Sequence, residues 1–306
     1  MGSKKTRRET AIVDEKETGR MTDGQGEVRY RPLEELTIVD NFMFGAVMKD
    51  PERCRRLLEI ILKIKIRKIE YVEIEKSIDK LYDSKSIRLD LYVEGSDTVY
   101  NVEMEASGKK KPLPKRTRLY QGIIDLNIIQ KGQDYEKLKK SFIVFICTFD
   151  PFGRERYVYT FQNRCDEEED LLLGDDAVKI FLNAKGKIGD ISSELKSLLH
   201  YIDGNEPDSD YTRDLQKAVD EIKRNEEWRR EYMRVNIEFW EQQKLGEYRK
   251  VVTSIRKSRG SVENDVLENI LDINHATFDN VSSVLSQHPD WDDTAIAEAV
   301  IDMEEA

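Results

Sequence analysis

Apolar and polar residues alternate along residues 88–94 and again along residues 100–105, on the two sides of a Gly-Ser-Asp sequence typical of a turn. Successive side chains of a strand point to opposite faces of its sheet, so this alternation predicts two half-buried antiparallel strands that form a hairpin. The apolar face of the hairpin carries Leu89, Leu91, Val93, Tyr100, Val102 and Met104. The polar face carries Arg88, Asp90, Glu94, Asn101, Glu103 and Glu105.

The stretch before the hairpin predicts two helices and a strand. Asp40 is a candidate N-cap for a helix with apolar residues within 42–48, and Pro51 is a candidate first residue of a second helix. Residues 64–75 alternate and predict a strand, which a loop over residues 79–84 joins to the hairpin.

The stretch after the hairpin predicts further helices and strands, including a continuously apolar run that is typical of a buried central strand. The predicted elements are a helix over about 115–131, that strand over 141–148, an edge strand over 157–161, a strand over 178–182, a helix over 195–202, helical structure over 211–257, and two or three small helices within 258–306 around Pro289. The order helix, three strands, helix, strand predicts an α/β fold.

The helical stretch over residues 211–257 carries more large apolar side chains than one helix can bury alone. We expect these side chains to pack on the core or on a second copy of the chain. In the second case, which we favour, the C-terminal helices form a homo-oligomer. They are Trp228, Tyr232, Val235, Phe239 and Trp240.

The length of the hairpin connection decides which carboxylates meet. Residues that face each other across an antiparallel pair project to the same side, so a two- or four-residue connection pairs Asp90 with Glu103 and adds Glu105 to that face. A three-residue connection instead sets Asp90 against Val102 and Met104, a poor environment for a carboxylate. Three carboxylates on one face repel unless a cation lies among them, and oxygen ligands suit Mg²⁺ or Mn²⁺. The alternative interpretation is a solvated strand face with ordinary acidic residues.

Basic residues begin the helix that follows the hairpin. Lys115, Arg116 and Arg118 lie in its first turn, where they and the free N–H groups of the helix are candidates to bind a phosphate. The alternative interpretation is a solvated basic helix start.

The spacing of Asp90, a dozen intervening residues and then Glu103-Met104-Glu105 resembles the metal-binding signature of the PD-(D/E)XK nuclease fold. More narrowly, the chain is similar to the recombination-promoting nuclease (Rpn) family, whose members are often labelled putative transposases. The resemblance covers about residues 31–240 and depends on the order and spacing of several segments. These segments are residues 40–44, 113–121, 132–135, 142–149 and 227–233.

The resemblance implies a restriction-endonuclease-like α/β core in the order αβββαβ, with a mixed sheet flanked by helices and a helical C-terminal extension. It also implies a metal-dependent DNA endonuclease with little sequence preference and a role in recombination. The catalytic residues that it implies are Asp90, Glu103 and Glu105. The ligands of Mg²⁺ (or Mn²⁺) would be Asp90, Glu103 and the backbone carbonyl of Met104. The DNA-binding residues would be Lys115, Arg116, Arg118 and Gln121.

The chain departs from the family pattern at two positions. Glu105 stands where the family usually has Gln and the wider superfamily has Lys. A Lys orients or deprotonates the attacking water, whereas Glu is a candidate general base or an additional metal ligand. Lys115 or Gln121 is a candidate to take over part of the role of the missing Lys. Gly45 is the second departure, because the family commonly has Lys after the Phe of its first helix.

The net charge of −11 disfavours a general nucleic-acid binder, but the charge is unevenly distributed. Residues 31–165 carry 26 Lys and Arg against 21 Asp and Glu, a balance of +5. Residues 166–306 carry 17 against 34, a balance of −17. This asymmetry allows local DNA binding by the part of the chain that resembles a nuclease.

Composition divides the chain into three regions. Residues 1–30 are polar and lack periodicity, which predicts a disordered tail. We expect a nuclease-like domain over residues 31–205 and an acidic helical C-terminal region over residues 206–306. Three widely spaced cysteines without a Cys-x-x-Cys motif are typical of a reducing compartment. No apolar run approaches the length of a membrane span, so we expect a cytoplasmic protein with no membrane partner.

Two other functions compete with the nuclease. In the first, Glu105 marks lost or weakened catalysis, and the chain is a dimeric DNA- or protein-interaction module. In the second, it is an RNA-cleaving toxin, which is disfavoured because three scattered histidines, without metal-ligand spacing, do not supply an acid and base pair.

Overall fold

The computed structural model of the protein describes residues 20–22, 28–66, 69, 71–78, 87–95, 97–106, 112–129, 132–258 and 275–305. The chain divides into two compact units, Met1–Arg229 and Arg230–Ala306. The first unit includes the helix over Asp210–Arg224, which was predicted to belong to the C-terminal region. The predicted loop over residues 79–84 lies outside the described residues.

The described residues form eight strands and eight α-helices. The strands are β1 (Arg20–Thr22), β2 (Val28–Tyr30), β3 (Tyr71–Ile78), β4 (Ile87–Glu94), β5 (Thr98–Glu105), β6 (Lys140–Cys147), β7 (Val158–Phe161) and β8 (Ala177–Asn183). The helices are α1 (Asn41–Met48), α2 (Pro51–Leu62), α3 (Leu113–Ile128), α4 (Ser193–Ile202), α5 (Asp210–Arg224), α6 (Glu226–Ser258), α7 (His275–Gln287) and α8 (Asp293–Glu305). Strands β1 and β2 pair antiparallel within the segment for which a disordered tail was predicted.

Within the described part of the first unit, six strands form one mixed sheet in the order β3-β4-β5-β6-β8-β7. Strands β3, β4 and β5 are antiparallel neighbours, whereas β6 is parallel to β5 and β8 is parallel to β6. The edge strand β7 is antiparallel to β8. From α2 to β6 the elements follow as helix, three strands, helix, strand, and the predicted α/β class with a mixed sheet is confirmed.

Helix α3 covers one face of this sheet with its apolar side. Leu113, Tyr120 and Ile124 of α3 are buried in a core cluster with side chains of β4, β5, β6 and β8. The strand residues of this cluster include Tyr92, Val99, Ile143, Phe145, Cys147 and Phe181. By strand alternation, these residues share a face with Asp90, Glu103 and Glu105.

The opposite face carries the apolar side of the predicted hairpin. Leu91, Val102 and Met104 are buried there. Helix α1 contacts β3 and β4, helices α2 and α5 pack against α1, and α4 packs against α2 and α5. A central hairpin covered on both faces is therefore the core of the first unit.

Asp40 is the N-cap residue of α1, as predicted, but its side chain does not cap the helix. Its Oδ2 accepts a hydrogen bond from the backbone N–H of Thr37 at 2.6 Å, and its Oδ1 pairs with Arg31 at 2.7 Å. The carboxylate therefore ties the segment before the helix to the helix start.

The prediction of a strand over residues 64–75 is wrong for the first residues of that segment. Helix α2 ends at Lys63 in a left-handed conformation (φ 57°), and the backbone N–H of Ile66 donates to the Glu59 carboxylate at 2.9 Å. This bond holds the first part of the segment against the end of α2, and strand pairing begins at Tyr71.

The single helical stretch predicted over residues 211–257 is two helices, α5 and α6. Asn225 separates them with an extended backbone, and its Oδ1 accepts a hydrogen bond from the backbone N–H of Glu227 at 2.7 Å. An Asn side chain in this position caps the next helix and ends the previous one.

The second unit has a hydrophobic core of its own. Its helices are the C-terminal part of α6 together with α7 and α8, and the predicted small helices on both sides of Pro289 are confirmed. The buried residues are Tyr248, Val252, Ile255, Val281, Val284, Leu285, Ile296, Ala297 and Val300. Thr253 also donates to the Asp293 carboxylate at 2.8 Å, which joins α6 to the start of α8.

Candidate functional site

The hairpin of β4 and β5 places Asp90 opposite Glu103. Its register pairs Leu91 with Val102, and four residues connect the last pair, so the prediction for an even-numbered connection is confirmed. The backbone N–H of Asp90 donates to Glu103 Oε1 at 3.2 Å, and the backbone N–H of Met104 donates to Asp90 Oδ2 at 3.0 Å. Each strand thus positions the acidic side chain of the other.

All three predicted carboxylates are buried, so the alternative of a solvated strand face is wrong. The exposed fraction is 9% for Asp90, 2% for Glu103 and 1% for Glu105. The prediction of half-buried strands is also wrong for β5, because every residue of this strand is buried. Helix α3 causes the difference, since it packs over the polar face of the hairpin as well as over neighbouring apolar residues.

Arg116 of α3 pairs with both glutamates. Its Nη1 lies 2.5 Å from Glu105 Oε2, and its Nη2 lies 3.1 Å from Glu103 Oε2. Charge-assisted hydrogen bonds of this kind are the stronger ones in proteins, and buried carboxylates need such partners. Arg116 therefore neutralises part of the charge that the hairpin collects.

Aromatic side chains surround the Arg116 guanidinium. The Tyr120 hydroxyl accepts hydrogen bonds from Arg116 Nη2 at 2.8 Å and from Nε at 3.2 Å. The Tyr120 and Phe145 rings lie 5.4 Å and 5.1 Å from the guanidinium carbon, within the range of cation–π attraction. Tyr120 follows Arg116 by four residues, so one helix face carries both groups.

Two asparagines that were not among the predicted site residues complete the site. Asn41, the first residue of α1, donates from Nδ2 to Asp90 Oδ1 at 3.2 Å. Asn101 donates from Nδ2 to Glu103 Oε1 at 3.1 Å. Among the described residues, the buried Oδ1 of each asparagine has no hydrogen-bond partner. Asn101 could have been identified from the sequence, because it lies two residues before Glu103 on the same strand face. The contact of Asn41 with Asp90 spans 49 residues and has no local sequence signal.

Burial raises the pKa of Glu103 well above its ordinary value, and the negative charge of Asp90 raises it further. Arg116 and the hydrogen bonds from Asp90 and Asn101 oppose this increase. Burial also raises the pKa of Tyr120, and the charge of Glu103 raises it further. The Tyr120 hydroxyl therefore stays neutral at ordinary pH. The carboxyl group of Glu103 thus holds a proton more readily than an exposed glutamate does.

The remaining predicted DNA-binding residues lie elsewhere on α3. Lys115 and Arg118 are exposed near the helix start. Gln121 is not at the carboxylates: its Nε2 donates to Asp125 at 2.9 Å, and its Oε1 accepts from Ser141 at 3.0 Å. Of the predicted phosphate-binding residues, Arg116 is thus the one that contacts the glutamates.

No group of three His, Cys, Asp or Glu side chains within the described ranges has the arrangement of a metal site. Arg116 bonds to both glutamates, and protein N–H groups bond to Asp90 and Glu103. The available donors nevertheless suit a hard divalent cation, because carboxylates and the unpaired amide oxygens of Asn41 and Asn101 offer oxygen alone.

A cavity of about 610 Å³ opens at the carboxyl ends of β5, β6 and β8, next to the end of the carboxylate-bearing strand. Its charged lining residues are Lys185, Asp203, Glu206 and Lys223. Lys185 pairs with Asp203 at 3.3 Å. The two lysines and two acids balance, so this cavity does not favour an anionic ligand.

Comparisons with protein-family models, curated proteins and solved structures found no match to this chain. Across the described ranges, no helix combines the length and the apolar character that crossing a bilayer requires.

Proposed function

We propose that this protein is a metal-dependent DNA endonuclease of the PD-(D/E)XK type, similar to the Rpn or putative transposase family. The observation that carries the proposal is the pairing of Asp90 with Glu103 across the central hairpin, with Glu105 next on the same face. Acidic groups are rarely buried together unless they bind a cation or serve in catalysis.

The order of elements supports the proposed nuclease core. Helix α2, strands β3 to β5, helix α3 and strand β6 follow the αβββαβ order that the resemblance implies. The acidic pair lies on the second and third of these strands, and the basic residues lie on the helix that follows. This agreement in the order of elements supports the proposed fold independently of any relative.

Asp90 and Glu103 are the residues that would hold Mg²⁺ or Mn²⁺, with the backbone carbonyl of Met104 as a further ligand. Such an ion, when bound, polarises a phosphate and lowers the pKa of its bound water. Asn41 and the Met104 N–H hold the two oxygens of Asp90 in a fixed orientation. A carboxylate oriented in this way needs little reorganisation when it binds a cation.

Glu105 is the proposed residue for water activation, as a general base or an additional ligand. It lies on the same strand face as Glu103, and Arg116 bonds to both.

Lys115 and Arg118 are the proposed contacts to DNA phosphates, with Arg116 beside them. Phosphate contacts position a strand but do not read its sequence. The predicted contact of Gln121 with DNA requires that it leave Asp125 and Ser141. We therefore expect cleavage with little sequence preference, and a role in recombination follows from the family resemblance.

We extend the proposal to a homo-oligomer that forms through the C-terminal helices. Met233 and Ile237 are 58% and 54% exposed on α6, which leaves apolar surface for a second copy. We also propose a cytoplasmic location, because Cys54, Cys147 and Cys165 are free thiols.

A catalytically weakened module that binds DNA or protein is the second candidate function. It is favoured by the position of Arg116, which bonds to both glutamates and can substitute for a metal as their counterion. In this case the buried charges stabilise the fold and have no chemical role.

Titration with Mn²⁺ separates the two functions. A nuclease of the proposed type binds Mn²⁺ in the parent protein and loses this binding in Asp90→Ala. An interaction module binds no Mn²⁺ in either protein. Asp97→Ala is the matched control, because Asp97 is an exposed acid in the turn of the same hairpin.

A further inference from the structure

The side chain of Arg116 reaches from the helix start into the space between the two glutamates. One guanidinium nitrogen bonds to each carboxylate, at 2.5 Å for Glu105 and 3.1 Å for Glu103. The glutamates are almost completely buried, so water cannot replace this cation. Arg116 is therefore the resident counterion of the site.

We propose that Arg116 competes with the divalent cation for Glu103, so that it sets the metal affinity of the site. Without metal, the guanidinium balances the buried charge. When metal binds, Arg116 leaves Glu103. This inference rests on the proposed function, because it assigns the regulation of the same site.

The competition follows from the oxygen atoms available on Glu103. Its Oε1 already accepts two hydrogen bonds, from the Asp90 N–H and from Asn101 Nδ2. Its Oε2 is the atom that bonds to Arg116. Mg²⁺ lies about 2.0 to 2.1 Å from a carboxylate oxygen, so it would share Oε2 with the guanidinium. Two positive groups this close inside a protein repel strongly, because little water screens them.

Arg116 has a route away from the carboxylate. Its side chain is 27% exposed, unlike those of the glutamates. The Tyr120 hydroxyl and the Tyr120 and Phe145 rings contact the guanidinium independently of Glu103. A rotation of the side chain can therefore break the bond to Glu103 while α3 remains folded. The released guanidinium then lies beside Lys115 and Arg118, the proposed phosphate contacts.

The test is the Mn²⁺ affinity of the full chain, measured by calorimetry or electron paramagnetic resonance. We expect Arg116→Ala to bind Mn²⁺ at least about tenfold more tightly than the parent, a change that corresponds to about 1.4 kcal/mol. Arg116→Lys keeps a positive charge near the carboxylates but loses the planar group that bonds to both glutamates, so its affinity should lie between those of the parent and Arg116→Ala. Lys196→Ala makes the same charge change at an exposed position of α4, outside the proposed site, and should alter the affinity less than about twofold.

A second measurement separates competition from a general structural effect. Millimolar ethylguanidinium added to Arg116→Ala should weaken Mn²⁺ binding towards the parent value, because it restores a guanidinium at the vacated position. The same addition should leave Mn²⁺ binding by the parent unchanged. Should Arg116→Ala not fold, as near-ultraviolet circular dichroism would report, Arg116→Gln replaces it with the same expected direction.

The possible failures are distinct. If the parent binds Mn²⁺ and the two variants Arg116→Ala and Arg116→Gln bind it equally or more weakly, the proposed competition is overturned. The proposed metal site then remains in place. Tighter Mn²⁺ binding that ethylguanidinium does not reverse also overturns it. An absence of Mn²⁺ binding in the parent and in every Arg116 variant overturns both the competition and the proposed function.

Discussion

The backbone N–H of Asp90 donates a hydrogen bond to the carboxylate of Glu103 across the central hairpin, at 3.2 Å. This bond joins the main chain of Asp90 to the side chain of Glu103, the two residues that the proposed function requires most. The hairpin register fixes which side chains meet, so a shift by one residue would turn both acids away from each other. The chemistry of the site consequently depends on the pairing of β4 with β5.

The raised pKa of Glu103 predicts a pH-dependent stability. The cause is first the burial of the carboxyl group and then the charge of Asp90. The folded protein keeps this proton at pH values where the unfolded chain has lost it, so the free energy of unfolding falls as the pH rises. Between the ordinary value of 4.5 and the raised pKa, the slope for one proton is about 1.4 kcal/mol per pH unit.

Glu103→Gln removes this titration, so its stability relative to the parent should increase with pH above 4.5. Urea unfolding of both proteins between pH 4 and pH 8 measures the difference. Glu136→Gln makes the same chemical change at an exposed position and should show a constant difference. A Glu103→Gln difference that is equally constant would contradict the raised pKa.

Tyr120→Phe should destabilise the first unit. The substitution removes the hydroxyl that accepts from Arg116 Nη2 and Nε, and it leaves those donors without this acceptor. We expect a loss of about 1 to 3 kcal/mol in the free energy of unfolding, measured by urea titration. Tyr135→Phe, at a position that is 83% exposed, should change the stability by less than about 0.5 kcal/mol. Equal effects of the two substitutions would show that the hydroxyl contributes nothing.

The hairpin and the pairing of its acids could be predicted because strand alternation is local. Asp90 and Glu103 belong to two periodic runs joined by a short turn, and the connection length decides their register. The burial of Glu103 and Glu105 could not be predicted in this way, because it depends on how α3 packs across the sheet. The same packing brings Arg116 to the glutamates, although the residue had been identified as part of a basic helix start.

Some features of the chain required the three-dimensional structure. Asn41 reaches Asp90 from a helix 49 residues earlier, and no periodicity links the two residues. The start of the predicted strand over residues 64–75 is held at Ile66 by the Glu59 side chain of α2 and not by strand pairing, a difference that alternation alone cannot show. The core of the second unit joins α6 to helices much later in the chain, so composition alone indicated helices but not their packing.

Replacing Lys115 and Arg118 with alanine should weaken DNA binding uniformly across sequences. Each phosphate contact that is lost reduces the slope of log affinity against log salt by about 0.9 on duplex DNA, so the double variant should lose about 2 from this slope. Fluorescence anisotropy with unrelated duplexes at several salt concentrations measures it. The double variant of Lys196 and Lys217, which are exposed on α4 and α5, is the control and should keep the parent slope. Equal slopes in both double variants would remove α3 from the DNA contact.

Glu105→Gln tests the residue proposed for water activation. The amide keeps the size of the side chain but cannot accept a proton, so the cleavage rate should fall by about 100-fold or more if Glu105 is the general base. Mn²⁺ binding should change much less, because Asp90 and Glu103 remain. A cleavage rate near that of the parent would exclude Glu105 from proton transfer.

The central claim is that Asp90 and Glu103 form the metal-dependent cleavage site, and nicking of supercoiled plasmid tests it most directly. The purified full chain is incubated with the plasmid in Mg²⁺, Mn²⁺, Ca²⁺ or chelator, beside Asp90→Ala and the Asp97→Ala control. We predict nicking by the parent and by Asp97→Ala with Mg²⁺ or Mn²⁺, none with chelator, and at least about a 100-fold lower rate for Asp90→Ala. Plasmid that stays supercoiled under every metal, or nicking that Asp90→Ala retains in full, would contradict the account.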